Sequence, residues 1–316
     1  MDRCFNIYGA GGAGINILNQ LLKESKSQQF IKQVVGLDTS DANPAIDGLF
    51  EIERLGDTRG SGSDKSANIS RYPDFVKQVL AKHQPNSINI VVFSASGGSG
   101  SGIGPFLVRA MLERDIPVLS VVIGDTTSIK EFDNTISTLR SLNAQTKLGC
   151  PVLFAYRENQ LGRTQGEVNR NVLEVINNAV MMFNLQNERI DYADVKNFFF
   201  FTNVVKADPI LTQVSFCNDE NVKDYKRTPV ACISLFNDID QIKAPFDNLL
   251  YRKAGLFGPE TEGLINAAHA LLDHGSTLNE LEVMMKQQET KQAELSGKYK
   301  VQKDLSQGSD DHGMFC

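Results

Sequence analysis

Two glycine-rich loops, each entered from a short apolar run and left through a helix-like one, constrain this chain more than any other feature. The first, Gly9, Ala10, Gly11, Gly12, Ala13 and Gly14, follows the apolar residues 4–8, precedes residues 15–22 and matches GxGxxG. The second, SASGGSGSG over residues 94–102, lies between the apolar residues 88–93 and the helix-like residues 103–112. Glycine lets a backbone approach a phosphate closely, and the helix that follows aims free N–H groups and its positive dipole end at the anion. Taken alone, the first loop fits a dinucleotide-binding Rossmann domain, with Asp38 ending the second strand where a ribose-binding acid would sit. Ordinary dehydrogenases have no second loop of this kind, and a flexible Gly/Ser linker would not be sandwiched between apolar segments. Two strand–loop–helix units at one sheet edge can wrap a polyphosphate from both sides with backbone donors and hydroxyls. They need no lysine, and the GK[ST] of a Walker A loop is absent.

The remainder of the first half keeps the same rhythm. Strand-like residues 4–8, 33–37, 88–93 and 118–123 alternate with helix-like residues 15–22, 75–80 and 105–112, the pattern of a parallel sheet covered by helices. From 165 to 183 the residues Val168, Val172, Ile176, Ala179, Val180 and Phe183 recur at helical spacing, which makes a long spine helix. Beyond Asp191, residues 198–205 and 229–236 read as strands and 263–272 as a helix, a second and smaller α/β unit. After Ser276 one apolar face, Leu278, Leu281, Met284 and Met285, gives way to a polar helix-forming stretch. The chain ends in an acidic and apolar tail with Asp310, Asp311, Met314 and Phe315. The expected divisions are therefore 1–166, a nucleotide domain; 167–190, the connecting helix; 191–275, the smaller domain; and 276–316, the terminal helix and tail.

Composition removes several classes. With 316 residues, 41% of them hydrophobic, the chain can build real cores. Its apolar runs are far shorter than the roughly 18 residues of a membrane span, and the N-terminus lacks the plan of a signal peptide, so a cytoplasmic protein without direct membrane contact is expected. A net charge of −6 argues against nucleic acid as a direct partner. Five scattered cysteines and four dispersed histidines show neither disulfide nor metal-ligand spacing, so no protein-held metal site is expected.

The second loop resembles the hallmark of the tubulin/FtsZ superfamily, GGGTGSG, which residues 96–102 render as SGGSGSG with Ser96 at the first glycine and Ser99 at the threonine. The resemblance extends to GAGGAG at residues 9–14, to LDTSDAN at 37–43 and to RGSGSD at 59–64, which is similar to the family's γ-phosphate-sensing loop. Residues 189–195, RIDYADV, are similar to its NxDFADV co-catalytic loop, with Arg189 where the family has Asn. Read for themselves, Asp191 and Asp194 also suit the N-cap of a following helix.

The resemblance implies a tubulin-like α/β fold, GTP and GDP as ligands with Mg²⁺, and assembly into homopolymer filaments. It implies nucleotide contacts from Gly11, Gly12, Ala13, Asn16, Asp38, Gly60, Ser61, Gly62, Ser96, Gly97, Gly98, Ser99, Gly100 and Ser101. Glu131, with Asp133 as a second choice, stands for the ribose, and Asn169, with Asn171 as a second choice, for the base. Asp191 and Asp194 would complete the site of a neighbouring subunit and make this a GTPase whose hydrolysis requires assembly. A short second domain and acidic, aromatic tail are most like the bacteriophage tubulin-like group (PhuZ and TubZ types). That implies dynamic filaments that position phage DNA or a replication compartment, and a tail that docks on the next subunit. The alternatives are a plasmid-type DNA-segregation tubulin, an NAD-binding Rossmann oxidoreductase and a GTP-binding adaptor that does not polymerise.

Overall fold

A computed structural model describes residues 3–24, 26–58, 60–62, 64, 66–259 and 265–307. Residues up to Gly275 form one compact unit and those from Ser276 a second.

The first unit is built on a ten-stranded sheet of order β3-β2-β1-β4-β5-β6-β7-β10-β8-β9 among the described residues. Its strands are β1 (Phe5–Ala10), β2 (Ile31–Asp38), β3 (Glu51–Arg54), β4 (Ile88–Ser94), β5 (Val118–Asp125), β6 (Val152–Asn159), β7 (Leu211–Asn218), β8 (Pro229–Phe236), β9 (Tyr251–Leu256) and β10 (Ala267–His274). From β3 to β7 all neighbours are parallel, whereas β10 runs antiparallel to both β7 and β8. Helices α1 (Gly11–Glu24), α2 (Tyr72–Lys82), α3 (Ser99–Leu112), α4 (Ile129–Asn143), α5 (Gln165–Phe183) and α6 (Tyr192–Phe199) complete this unit.

Parallel strands covered on both faces show continuous apolar runs, and β4 accordingly buries every residue except its last. A Val, Ile or Phe buried this fully contributes about 1.5–3 kcal/mol. The chain leaves β1 for β2 and β3 on one side, then returns to place β4 on the other side of β1. That reversal is a topological switch point, and open α/β sheets bind ligands in the crevice it leaves at the carboxyl ends of the strands.

The spine helix follows the apolar stripe over Gln165–Phe183 and ends there, short of the 190 expected for the connecting helix. Thr164 caps α5, its Oγ1 accepting from Glu167 N at 3.2 Å while Glu167 Oε2 accepts from Thr164 N at 2.8 Å. The apolar stripe from Val168 to Phe183 is buried.

Two expected elements are corrected. Residues 198–205 do not form a strand: Phe198 and Phe199 close α6, and a short 3₁₀ turn, Phe201–Asn203, follows. The run is apolar because Phe198, Phe199, Phe200 and Phe201 are all buried, the first two against Phe183. Of the stretch 263–272, read as a helix, residues 267–272 lie instead in β10, the centre of the antiparallel portion. A strand buried on both faces has no alternation, and periodicity alone cannot separate it from a buried helix.

The second unit contains α7 (Thr277–Gln307), opened by a Glu280 N to Ser276 O bond of 2.9 Å. The tail residues Asp310, Asp311, Met314 and Phe315 lie outside the described residues.

Candidate functional site

The two glycine loops meet at the switch point. Gly11 has φ +70°, and a Cβ there would stand 2.6 Å from the backbone N of Gly100. Conversely, a Cβ on Gly100 would stand 2.8 Å from the carbonyl oxygen of Ala10. Only glycine at both positions lets the turns after β1 and β4 touch. Beneath them, a Cβ on Gly14 would fall 2.6 Å from Val92 O, so α1 also starts flush against the sheet. Neither α1 nor α3 carries an acidic residue in its first turn, which leaves both positive helix ends unopposed.

A cleft of about 420 Å³ lies over this junction. Its walls are Ala10, Gly11, Gly12 and Ala13 from the first loop, Ser94, Gly97, Gly98, Ser99 and Gly100 from the second, Asp38, Ser40 and Asn43 after β2, and Gly60, Ser61 and Gly62. Among the described residues the wall holds no lysine or arginine. Backbone N–H groups, small residues and hydroxyls around two helix N-termini form a polyanion cradle.

Thr39 ties three of these segments together. Its Oγ1 lies 2.6 Å from Ser99 Oγ and 3.2 Å from Ser61 Oγ, and its carbonyl accepts from Gly60 N at 2.9 Å. Ser61 Oγ in turn lies 3.4 Å from Tyr72 Oη. Residues 60–62 therefore hang on the loop after β2 through one backbone and one hydroxyl contact. Gly60 and Gly62 adopt φ +99° and +53°. Arg59 and Ser63, the flanks of the same motif, lie outside the described residues.

Asp38 is buried, with Oδ1 accepting from Thr39 N at 2.7 Å and Oδ2 from Asn43 Nδ2 at 2.9 Å. It lines the cleft while shaping the loop that carries Asn43, whose side chain would lie 2.8 Å from a Cβ on Gly12.

Of the residues expected to touch nucleotide, Gly11, Gly12, Ala13, Asp38, Gly60, Ser61, Gly62, Gly97, Gly98, Ser99 and Gly100 converge on the cleft. Ser96 and Ser101 stand behind it. Ser96 is buried with Oγ 3.0 Å from Ser94 Oγ, its carbonyl held by Asn134 Nδ2 at 3.0 Å, while Ser101 Oγ donates back to the carbonyls of Gly97 and Gly98. Both brace the loop. Asn16 on α1, Glu131 in the first turn of α4 and Asn169 on α5 are not part of the cleft wall. Ala10, Ser40, Asn43 and Ser94 line it without having been singled out. Asn43 ended the LDTSDAN segment, but its approach to Gly12 depends on the loop's path, which spacing does not reveal.

Asp191 and Asp194 lie at the start of α6, outside the cleft wall. They form a reciprocal capping box, Asp191 Oδ1 accepting from Asp194 N at 2.9 Å and Asp194 Oδ2 from Asp191 N at 3.4 Å. Asp194 Oδ1 also meets Lys253 Nζ of β9 at 2.6 Å. The preceding turn holds Arg189 at φ +72°, where the similar family motif has Asn, a residue that tolerates that conformation better.

Among the described residues one group of metal-capable side chains comes together, Glu51, Glu53 and His83. Lys82 Nζ already bridges the two carboxylates at 2.8 and 2.7 Å, so an ammonium supplies the cation there.

No family model matches the chain. It is 29% identical over 270 residues to a phage tubulin-like protein of Pseudomonas phage phiKZ, covering 80% of each chain. It is 27% identical over 251 residues to the phage tubulin-like protein of Pseudomonas phage 201phi2-1, covering 78% of this chain and 77% of that one. Among solved structures it superposes on a protofilament of TubZ from bacteriophage PhiKZ with TM-score 0.80 and 26% identity, covering 90% of this chain and 92% of that one. It superposes equally well, in fold, on the GDP form of the phage tubulin PhuZ, with TM-score 0.81 and 22% identity, covering 91% and 92%.

Proposed function

We propose that this chain, which belongs to the tubulin/FtsZ superfamily and is most like its phage tubulin-like proteins, binds GTP in the glycine-loop cleft and assembles end to end into filaments that hydrolyse it. The observation that carries the reading is the contact between Gly11 and Gly100, which brings two helix N-termini to one cradle that holds no lysine among its described residues. A single glycine loop would suit a dinucleotide, whereas two closing on each other suit a polyphosphate chain.

On this reading the loops after β1 and β4 grip the phosphates through backbone N–H groups and the Ser99 hydroxyl. Residues 60–62 report the terminal phosphate, because they line the cleft and reach the loop after β2 through Thr39. Mg²⁺ would come with the polyphosphate, whose oxygens suit it, and would neutralise part of its charge. Hydrolysis forms a bond from a water oxygen to the γ-phosphorus as the bond to the β–γ bridging oxygen breaks. The electron pair leaves on GDP and the water proton passes to a carboxylate. Among the described residues the cleft wall offers only Asp38 as a carboxylate, and both of its oxygens already serve its loop. The carboxylate comes instead from Asp191 and Asp194 of the subunit stacked above, so turnover depends on assembly. Asn16, Asn169 and Glu131 serve the base and ribose beyond the phosphate cleft.

We assign filaments of this chain the task of positioning phage DNA or a replication compartment in the cytoplasm of an infected bacterium. The tail bearing Asp310, Asp311, Met314 and Phe315 docks on the neighbouring subunit. The direct test of the ligand is equilibrium binding of GTP, ATP and NAD to the full chain with Mg²⁺ present. GTP should bind at least about a hundredfold tighter than NAD, a difference of about 2.7 kcal/mol. NAD binding as tightly as GTP would return the chain to the dinucleotide-binding class.

A further inference from the structure

A second cavity, of about 460 Å³, lies between α3 and the end of α4 and shares no wall residue with the nucleotide cleft. Its wall joins α3 residues from Ser101 to Arg109 to Ser141 of α4 and to the 3₁₀ turn Ala144–Leu148 that follows. Ile69 and Leu148 on this wall are 51% and 39% exposed, and Pro105 and Phe106 extend the apolar surface on the α3 side. A cavity of this size, apolar with a few placed polar groups, is the ordinary form of a small-molecule site.

The polar groups on the wall are of two kinds. Gln145 is 8% exposed, and its Nε2 donates to Pro105 O at 2.8 Å. That carbonyl can only accept, so the amide orientation is fixed and the other terminal atom is the oxygen. Oε1 is buried and accepts no hydrogen bond, an arrangement that buried acceptors rarely tolerate. Pro105 has no N–H, so the carbonyl of Ser101, one turn earlier on the same wall, also lacks its usual helical donor. The charged residues are Arg109 and Lys147, with no acid on the wall among the described residues. Arg109 meets Glu113 through Nε at 2.7 Å, which uses one of the five guanidinium N–H donors. In a chain of net charge −6 this is a local cationic rim.

We propose that the cavity is an accessory site for a small, flat, apolar anion that carries an N–H or O–H donor. Its apolar body packs on Ile69, Pro105, Phe106 and Leu148, its charge meets Lys147 and Arg109, and its donor satisfies Gln145 Oε1. Such a ligand reaches the nucleotide cleft from behind without entering it. Ser101 Oγ donates to the carbonyls of Gly97 and Gly98 in the second glycine loop. The Tyr72 ring lies flush on Gly102, leaving no room there for a Cβ, while its Oη lies 3.4 Å from Ser61 Oγ.

The test is a fluorescence titration of the full chain with an anilinonaphthalenesulfonate dye, an aromatic anion with one N–H donor, beside its N-methyl counterpart, which has none. The first dye should bind at one molecule per chain and stay bound at saturating GDP, and the N-methyl dye should bind about fivefold more weakly. Gln145→Met should bring the two dyes to within about twofold of each other, a ratio that a general loosening of the fold leaves unchanged. Lys147→Glu, at an exposed side chain, should weaken both dyes about tenfold with the thermal midpoint unchanged. Leu161→Ser, at an apolar side chain 98% exposed and outside the cavity, should change neither. Absence of stoichiometric binding, equal affinity of the two dyes for the unaltered chain, displacement by GDP, or undiminished binding to Lys147→Glu would overturn the assignment. Release of the dye as the chain pellets with GTP would give the cavity to a neighbouring copy and overturn it as well.

Discussion

Replacing Gly100 by alanine separates the integrity of the cleft from the stability of the fold. Gly100 is the second residue of α3, where alanine gains up to about 1 kcal/mol of helix propensity over glycine. The new Cβ would lie 2.8 Å from Ala10 O, 3.2 Å from Ser94 O and 3.3 Å from Ser94 N, all backbone atoms that cannot rotate away. The loops must part by about 0.5 Å to restore ordinary contact distances. Overpacking of this kind costs about 1–3 kcal/mol, partly offset by the propensity gain, so the thermal midpoint should fall by only a few degrees, at about 2–4 °C per kcal/mol. Nucleotide affinity should fall much further. Parting the loops lengthens phosphate hydrogen bonds on at least one side, and each charge-assisted bond is worth about 1.5–3 kcal/mol. Losing two weakens binding by about 10²- to 10⁴-fold. The assay is titration of a fluorescent GTP analogue beside a thermal melt. Gly100→Ala binding within about threefold of the unaltered chain, with the fold intact, would refute the argument that contact between the loops forms the phosphate site.

Three further outcomes follow from particular contacts. Buried His269, whose Nδ1 lies 2.9 Å from Ser234 Oγ, is pushed by burial from 6.5 down to about 4. Its folded value lies below its unfolded one, so the stability it contributes is fully present above pH 6.5 and is lost as pH falls toward 4, by up to about 3 kcal/mol. Denaturant unfolding of the unaltered chain and of His269→Gln at pH 7 and 4.5 should show a flatter pH dependence for the variant. Thr164→Ala removes the α5 capping box and should cost about 1 kcal/mol in denaturant unfolding, whereas an unchanged midpoint would make the cap redundant. Truncation after Gln307 should raise the critical concentration for assembly while monomer GTP binding stays within about twofold, a difference of about 0.4 kcal/mol; assembly at the original concentration would remove the tail from the mechanism.

The cleft between the glycine loops was legible because its geometry is local. Glycines between an apolar run and a helical run specify a turn, a close approach and a helix N-terminus within a dozen residues, and Gly11, Gly97 and Gly100 duly line one cleft. The roles of Ser96 and Ser101 were not legible: a hydroxyl in a glycine loop can face the ligand or brace the backbone, and both of these brace it. Asp191 and Asp194 were read as acids for a neighbour with the helix cap as the plainer alternative, and the structure shows the capping role directly. Lys253 was invisible from spacing because it reaches Asp194 from a strand far along the chain. The fold was legible where apolar runs are short and parallel strands alternate with helices. It failed at β10 and at residues 198–205, where the burial of β10 and of Phe198, Phe199, Phe200 and Phe201 erases the periodicity that distinguishes strand from helix.

The most direct test of the shared catalytic site is GTP-stimulated phosphate release and pelleting across a protein concentration series. Release should be negligible below a critical concentration and should rise in proportion to the pelleted fraction above it. Phosphate release linear in protein from the lowest concentration, with no pellet at any, would place the catalytic groups within one subunit and contradict the account.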